Sequence, residues 1–250
     1  MRVLITGVGD AFTSRHFGSS ALIDAPQGYV LIDCPDLVHR AVREAGDAAG
    51  WNVDASRIHD IILTHIHGDH CNGLESFGFL RRVMRIKNPR ANLPIPRLHT
   101  TKPVADRLWD RLAPAMDGPF DGRPASSLDD YYDLRLVTPG RHATVAGLTI
   151  DCRFTHHPVP TIGLMISNGA ATLGWSGDTP YEPEHIDWLS PADVIVHECN
   201  VGPTHTPIDR LNALPDDLRT KMRLIHLTDD FDPSTTDIPP LHERQVIKLT

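Results

Sequence analysis

Four side chains able to hold a metal ion fall within six residues of this sequence, in His65-Ile66-His67-Gly68-Asp69-His70. The run before them, Asp60-Ile61-Ile62-Leu63-Thr64, is a short apolar stretch of the kind that forms a strand buried on both faces. Side chains on an extended segment repeat every two residues, so His65 and His67 point the same way. Gly68 allows a sharp turn, after which Asp69 and His70 can aim at a second point close by. The His pair serves one ion, and the extra Asp-His doublet argues for two. Imidazoles and carboxylates are costly to bury unpaired, which counts against a polar loop that merely happens to be rich in histidine.

The stretch from Thr64 to His70 resembles the HxHxDH signature of the metallo-β-lactamase superfamily. The resemblance implies an α/β fold, a four-layer αββα sandwich, with a dinuclear metal site at one edge. It also requires later ligands. Thr155-His156-His157-Pro158 carries two adjacent histidines. In the superfamily's phosphodiesterase branch the ligand histidine lies six residues before the glycine that opens the next strand. His157 has that register to Gly163 and His156 does not, so the resemblance selects His157 and leaves His156 beside the site or exposed. Ser176-Gly177-Asp178-Thr179-Pro180 resembles the SGDT element, whose aspartate bridges both metals. A carboxylate has two oxygens and can span ions roughly 3.5–4 Å apart, which one imidazole nitrogen cannot do.

Leu224-Ile225-His226-Leu227-Thr228 resembles the closing LTH-type motif. The implied set is therefore His65, His67 and His157 on one metal and Asp69, His70 and His226 on the other, with Asp178 and a water between them. The implied cofactors are two divalent metal ions, zinc first, with manganese and iron also compatible with N/O donors. His197-Glu198-Cys199-Asn200 resembles the HEAT element of ribonuclease Z relatives, and Thr204-His205-Thr206 their following HxT histidine. In that branch the histidine lies beside the scissile phosphate and the glutamate orients it, so His205 and Glu198 join Asp69 as catalytic residues. A core His197 and an ordinary loop His205 are the alternative readings.

Water between two cations has its pKa drawn towards ~7, which supplies hydroxide at neutral pH for attack on phosphorus or carbonyl. The expected activity is a dinuclear metal-dependent hydrolase, a phosphodiesterase acting on a small organic substrate. Hydrolysis of a lactone, thioester or β-lactam is the alternative, since a fold does not fix its function. His205 with Glu198 separates the two, because lactam hydrolases generally lack that pair. A tRNA 3′-processing role is disfavoured: only twenty residues separate His157 from Asp178, too few for the long exosite arm of ribonuclease Z. The cysteine-rich zinc site of the cyclic-phosphate phosphodiesterase of phosphonate breakdown is also missing, so that substrate does not carry over. Seven intact ligand positions argue against a non-catalytic subunit.

The remaining sequence must position these groups. Residues 2–33 read as strands, with Ala21-Leu-Ile-Asp and Tyr29-Val-Leu-Ile-Asp33 pairing across Pro26-Gln27-Gly28. Gly7-Val8-Gly9 lacks the third glycine and helix of a dinucleotide fingerprint. The loop from Asp10 to Ser20 resembles the substrate-side loop of the phosphodiesterase branch, where Arg15 or His16 would face the pocket; a surface-loop role for both is the equal alternative. Helices are expected at Leu37–Ala49, Gly73–Val83, Pro103–Leu112 and Asp209–Met222. Strands are expected at Leu148–Phe154, Ile162–Ile166, Ala171–Trp175, Asp193–His197 and Arg223–His226. With no repeat or linker, residues 1–250 read as a single domain. The proline-broken stretch 88–147 is read as a substrate-side insert, or equally as a homodimer surface.

Composition narrows the partners. The chain has 250 residues, 40% of them apolar, a formal charge of −8 and a pI near 6.0. A nucleic-acid binder usually carries a basic surplus, and the one basic run, Arg81 to Arg90, reads as a solvated helix face. A small-molecule substrate is expected instead. No stretch approaches the ~20 apolar residues of a membrane span, and no leader cleavage site follows the first strand, so the expectation is a cytoplasmic protein. Cys34, Cys71, Cys152 and Cys199 form no C-x-x-C pair and no disulfide framework. Cys71 follows His70 directly but reads as a small buried residue.

Overall fold

A computed structural model describes residues 1–120 and 122–249. The chain opens with β1 (Arg2–Gly7), β2 (Ser20–Ala25) and β3 (Gly28–Ile32), which pair antiparallel in sequence order. Helix α1 (Val38–Ala49) crosses over to β4 (Ile58–Ile62), which runs parallel to β3. The short helix α2 (Gly68–Cys71) and helix α3 (Gly73–Lys87) precede β5 (Arg97–Thr100), α4 (Lys102–Met116) and β6 (Asp133–Leu136). The second half supplies β7 (Ala143–Val145), β8 (Leu148–Thr155), β9 (Thr161–Ser167) and β10 (Thr172–Trp175). Then come α5 (Pro183–Leu189), β11 (Val194–Glu198), α6 (Ile208–Asn212), α7 (Asp216–Arg219), β12 (Met222–Ile225) and β13 (Val246–Lys248).

Among the described residues these strands form two sheets, β13-β1-β2-β3-β4-β5-β6 and β12-β11-β10-β9-β8-β7. Strand alternation explains why they stack. Val3, Ile5, Ala21, Ile23, Val30 and Ile32 enter the core shared by both sheets, where Ile162, Leu164, Ile166, Leu173 and Trp175 meet them. The intervening Leu4, Leu22 and Leu31 point to the opposite face and pack on α1, α3 and α4. Ile195 and Leu224 likewise turn outward onto Ile186 and Leu189 of α5 and Leu211 of α6. Each sheet is thus apolar on both faces and covered by helices on its outer one, giving the αββα order of layers.

Several local expectations need correcting. Helix α4 runs past Pro114 to Met116, because Val104, Leu108, Leu112 and Met116 repeat every four residues and all four are buried, while Pro114 lies on the exposed side. The helix expected over 209–222 breaks into α6 and α7 at Pro215, and β12 already begins at Met222. Arg81 and Arg82 are buried rather than solvated. Arg81 donates to the carbonyls of Ala55, Ser56 and Pro94, and Arg82 lies over the rings of Phe120 and Tyr131. All four cysteines are free and buried. No helix among the described residues is long and apolar enough to cross a membrane.

Candidate metal centre

The potential ligands come from the loops and the short helix α2 that follow strands at one edge of the sandwich. His65, His67, Asp69 and His70 follow β4, His157 lies between β8 and β9, Asp178 follows β10, and His226 follows β12. Two donor groups result: His65, His67, His157 and Asp178, and Asp69, His70, Asp178 and His226. Within each group the donor atoms lie within 4.8 Å of one another. His156, by contrast, points outward and holds Glu182 through Nδ1 at 2.6 Å.

Distances across the cluster are those of groups aimed at common points. Asp178 Oδ1 lies 3.4 Å from His70 Nε2, and its Oδ2 lies 3.6 Å from His65 Nε2 and 3.7 Å from both His157 Nε2 and His226 Nε2. His157 Nε2 is 3.0 Å from His67 Nδ1, and His226 Nε2 is 3.1 Å from Asp69 Oδ2. A tetrahedral ion with bonds of about 2.0–2.2 Å sets its ligand atoms roughly 3.3–3.6 Å apart. Backbone geometry helps Asp178 reach both groups. Gly177 has φ +61°, and a Cβ there would meet the Ile162 carbonyl oxygen.

Residues around the cluster fix the rings. Asp33, buried at the end of β3, accepts from His70 Nδ1 at 2.8 Å and from the Thr64 N–H at 2.8 Å. Thr64 Oγ1 also donates to Asp33 and lies 3.0 Å from His65 Nδ1. The Thr204 carbonyl sits 3.2 Å from His157 Nδ1. Asp33 and Thr64 thereby turn the Nε2 atoms of His65 and His70 inward, where both are buried and make no hydrogen bond. Two orphaned imidazole nitrogens facing carboxylates are costly in a protein interior unless a cation lies between them. Asp33 and His226 have φ +58° and +61°, strain of the kind that concentrates at functional sites.

Charge supports the same reading. Burial holds the His65 pKa well below normal and lowers that of His157 to about 4, so the first group presents neutral imidazole lone pairs. Around His70 and His226, burial is outweighed by carboxylates. Asp178 and Asp33 raise the His70 pKa well above its usual value, and Asp178 with Asp69 raises that of His226 to about 9. The second group therefore calls for positive charge at its centre. The donor set is that of a divalent-metal site.

His205 and Glu198 stand beside this centre. His205 Nδ1 lies 3.0 and 3.2 Å from the two Glu198 oxygens, and its ring is 5.2 Å from that of His226. Glu198 Oε1 also accepts from the Thr179 N–H at 2.7 Å. Burial alone would lower the His205 pKa, but the bond to Glu198 and its charge raise it; burial raises Glu198 in turn. Both shifts keep a proton on the pair. His197 is a core residue whose Nδ1 bonds its neighbour's carbonyl. Arg15 donates to the Asp229 carbonyl and His16 lines a side pocket with Asp69, and Ala11 and Phe12 are the residues of this loop that line the pocket holding His67, Asp69, His157 and Asp178. Among the described residues, none from 88–147 lines the pockets beside the cluster; that stretch supplies β5, α4, β6 and β7.

Comparison with known proteins agrees with this geometry. A family model described as Anti-Pycsar protein Apyc1 matches residues 1–242. An anti-Pycsar protein Apyc1 of Paenibacillus sp. (strain J14) is 28% identical over 261 residues, covering 100% of this chain and 99% of the relative. A cAMP/cGMP-dependent 3′,5′-cAMP/cGMP phosphodiesterase B of Dictyostelium discoideum is 27% identical over 213 residues, covering 77% of this chain and 18% of that protein. The metallo-β-lactamase fold protein YhfI from Bacillus subtilis superposes with a TM-score of 0.74 at 18% identity, over 93% of this chain and 89% of that one. Matched over nearly its whole length and sharing that architecture, the chain belongs to the anti-Pycsar protein Apyc1 family of metallo-β-lactamase-fold proteins.

Proposed function

We propose that this protein is a metal-dependent phosphodiesterase that opens the ring of a nucleoside 3′,5′-cyclic monophosphate. The observation that carries the reading is the Glu198–His205 pair, held beside a cluster of seven potential ligands. His65, His67 and His157 would hold one ion and Asp69, His70 and His226 the other, with Asp178 shared. Zinc suits these donors, and manganese or iron is compatible with them. Bound there, the ions supply Lewis acidity at the phosphodiester and acidify a water.

The protein's own groups complete the chemistry. His205 is anchored through Nδ1, which leaves Nε2 available to protonate the departing ribose oxygen; Glu198 stabilises the imidazolium and fixes its orientation. Asp69 would add to the metal site the carboxylate that keeps His226 turned inward. Of the two pockets beside the cluster, the one reaching away from it is lined by Asp10, Asp229 and Asp230, and neither is lined by a Lys or Arg among the described residues. A polynucleotide, with charged neighbours flanking the scissile phosphate, is repelled by such walls. A cyclic mononucleotide carries one charge, which the metal centre takes. The phosphodiesterase B relative supports this substrate class, and residues 1–250 would act as a single domain.

The test is His205→Ala on a 3′,5′-cyclic nucleotide and on an ester with a p-nitrophenolate leaving group. The variant should keep both metals bound, while turnover of the cyclic nucleotide falls by ~10²–10⁴. The loss should shrink on the activated ester, whose leaving group needs little proton donation. Equal, wild-type turnover on both substrates would remove the acid role and the preference for phosphodiester chemistry.

A further inference from the structure

Phe12 is 92% exposed and belongs to none of the hydrophobic clusters. Large apolar rings are rarely left so open unless something covers them. Its position is specific: two pockets, of about 330 and 310 Å³, adjoin at the metal cluster, and Ala11, Phe12, His205 and His226 line both. The first contains the metal-facing His67, Asp69, His157 and Asp178; the second extends away from them to Val201, itself 73% exposed.

The backbone under this ring is braced. Phe12 N–H donates to Asp10 Oδ1 at 3.0 Å, and Asn200 Nδ2 donates to the other Asp10 oxygen at 3.1 Å. Asp229 accepts from the Ser14 N–H at 2.8 Å and the Ser14 hydroxyl at 2.6 Å. Gly9 and Phe17 close the loop through a 2.9 Å backbone bond. An exposed aromatic on a fixed support loses little conformational entropy when a flat ligand settles on it.

Resting on the cyclic-nucleotide reading, we propose that Phe12 is the platform on which the base of the substrate stacks. With the phosphate at the cluster, the base lies outward over the second pocket, against Phe12 and Val201. Every base has a π-face, so such a platform sets affinity without reading base identity. The Asp229 and Asp230 carboxylates at that end would not hold a further phosphate, so a single cyclic phosphate with one base matches the cleft.

The experiment compares wild type, Phe12→Ala and Phe12→Trp on 3′,5′-cAMP, 3′,5′-cCMP and the base-free methyl ribofuranoside 3,5-cyclic phosphate. Phe12→Ala should raise KM for both nucleotides about 5- to 20-fold, the lower part of the range for one stacked base. It should leave kcat within about twofold, as expected for binding shared by ground and transition states. Phe12→Trp should restore KM, and the base-free substrate should not respond to either change. Unchanged nucleotide KM in Phe12→Ala, or an equal loss on the base-free substrate, would overturn the platform. So would a fall in molar mass by light scattering that accompanies such an equal loss, which would assign the ring to a contact between copies. Absence of any cyclic-nucleotide turnover by the wild type would instead overturn the functional reading, and the platform with it.

Discussion

The substitution Asp33→Asn should cost metal affinity without touching a ligand. The buried carboxylate serves three donors: the Thr64 N–H, the Thr64 hydroxyl and His70 Nδ1. An amide in its place would keep the shape but has only one oxygen. If that oxygen stays with Thr64, the new NH₂ faces the His70 Nδ1 proton. His70 then relieves the clash by moving its proton to Nε2, the atom turned towards Asp178 at 3.4 Å, and a protonated nitrogen cannot bind metal. If the oxygen turns to His70 instead, the Thr64 N–H loses its partner. In the second case one buried donor goes unpaired, at about 1–3 kcal/mol. That is survivable against a typical total stability of about 5–15 kcal/mol. Loss of such an orienting partner usually lowers metal affinity about 10- to 100-fold, or about 1.4–2.7 kcal/mol. Chelator competition should therefore show one ion held more weakly, with the metal-free variant still folding cooperatively in urea. Two ions bound with wild-type affinity would refute the role given to Asp33.

The other predictions concern the ligand pair and acid stability. His157→Ala should strip metal and activity, whereas His156→Ala should largely spare metal content, since His156 faces Glu182; elemental analysis giving the reverse order would show the wrong neighbour was chosen. Burial lowers the pKa of both His185 and His197 to about 4, so each stays neutral in the folded protein while the unfolded chain takes up its proton below ~6.5. Their contribution is complete above about pH 6.5 and is lost as pH falls towards 4, on the order of 3 kcal/mol each. His185→Gln keeps a donor for the Ser176 carbonyl, which His185 Nε2 meets at 3.0 Å, and should flatten the pH dependence of urea stability in metal-free protein; an unchanged slope would contradict this.

Strand ends made the cluster of potential ligands legible. His65, His67, Asp69, His70, Asp178 and His226 each follow an apolar run closely, so their types and spacing stand out against it. His157 was separable from His156 only by its register to Gly163, a position that must be glycine because a Cβ there would meet the buried His185 ring. Asp33 was not legible. It closes the apolar strand Tyr29–Ile32 like any polar residue, and only the tertiary approach of Thr64 and His70 reveals it as an acceptor. Phe12 was equally silent, since exposure at a pocket mouth is a property of the folded loop. Periodicity also misled where side chains find unusual partners. Arg81 looked solvated because its three carbonyl acceptors come from two other segments, and the 209–222 helix failed because Pro215 outweighed its apolar spacing.

Metal-dependent hydrolysis of a 3′,5′-cyclic nucleotide is the most direct test of this centre. Protein loaded with Zn, Mn or Fe would be assayed in parallel on 3′,5′-cAMP, 3′,5′-cGMP, a lactone and nitrocefin, before and after chelation. Turnover of the cyclic nucleotides that chelation abolishes and metal restores, with little or none on the carbonyl substrates, is the predicted result. Turnover of the lactone or nitrocefin with inert cyclic nucleotides, or cyclic-nucleotide hydrolysis that survives complete removal of metal, would contradict it.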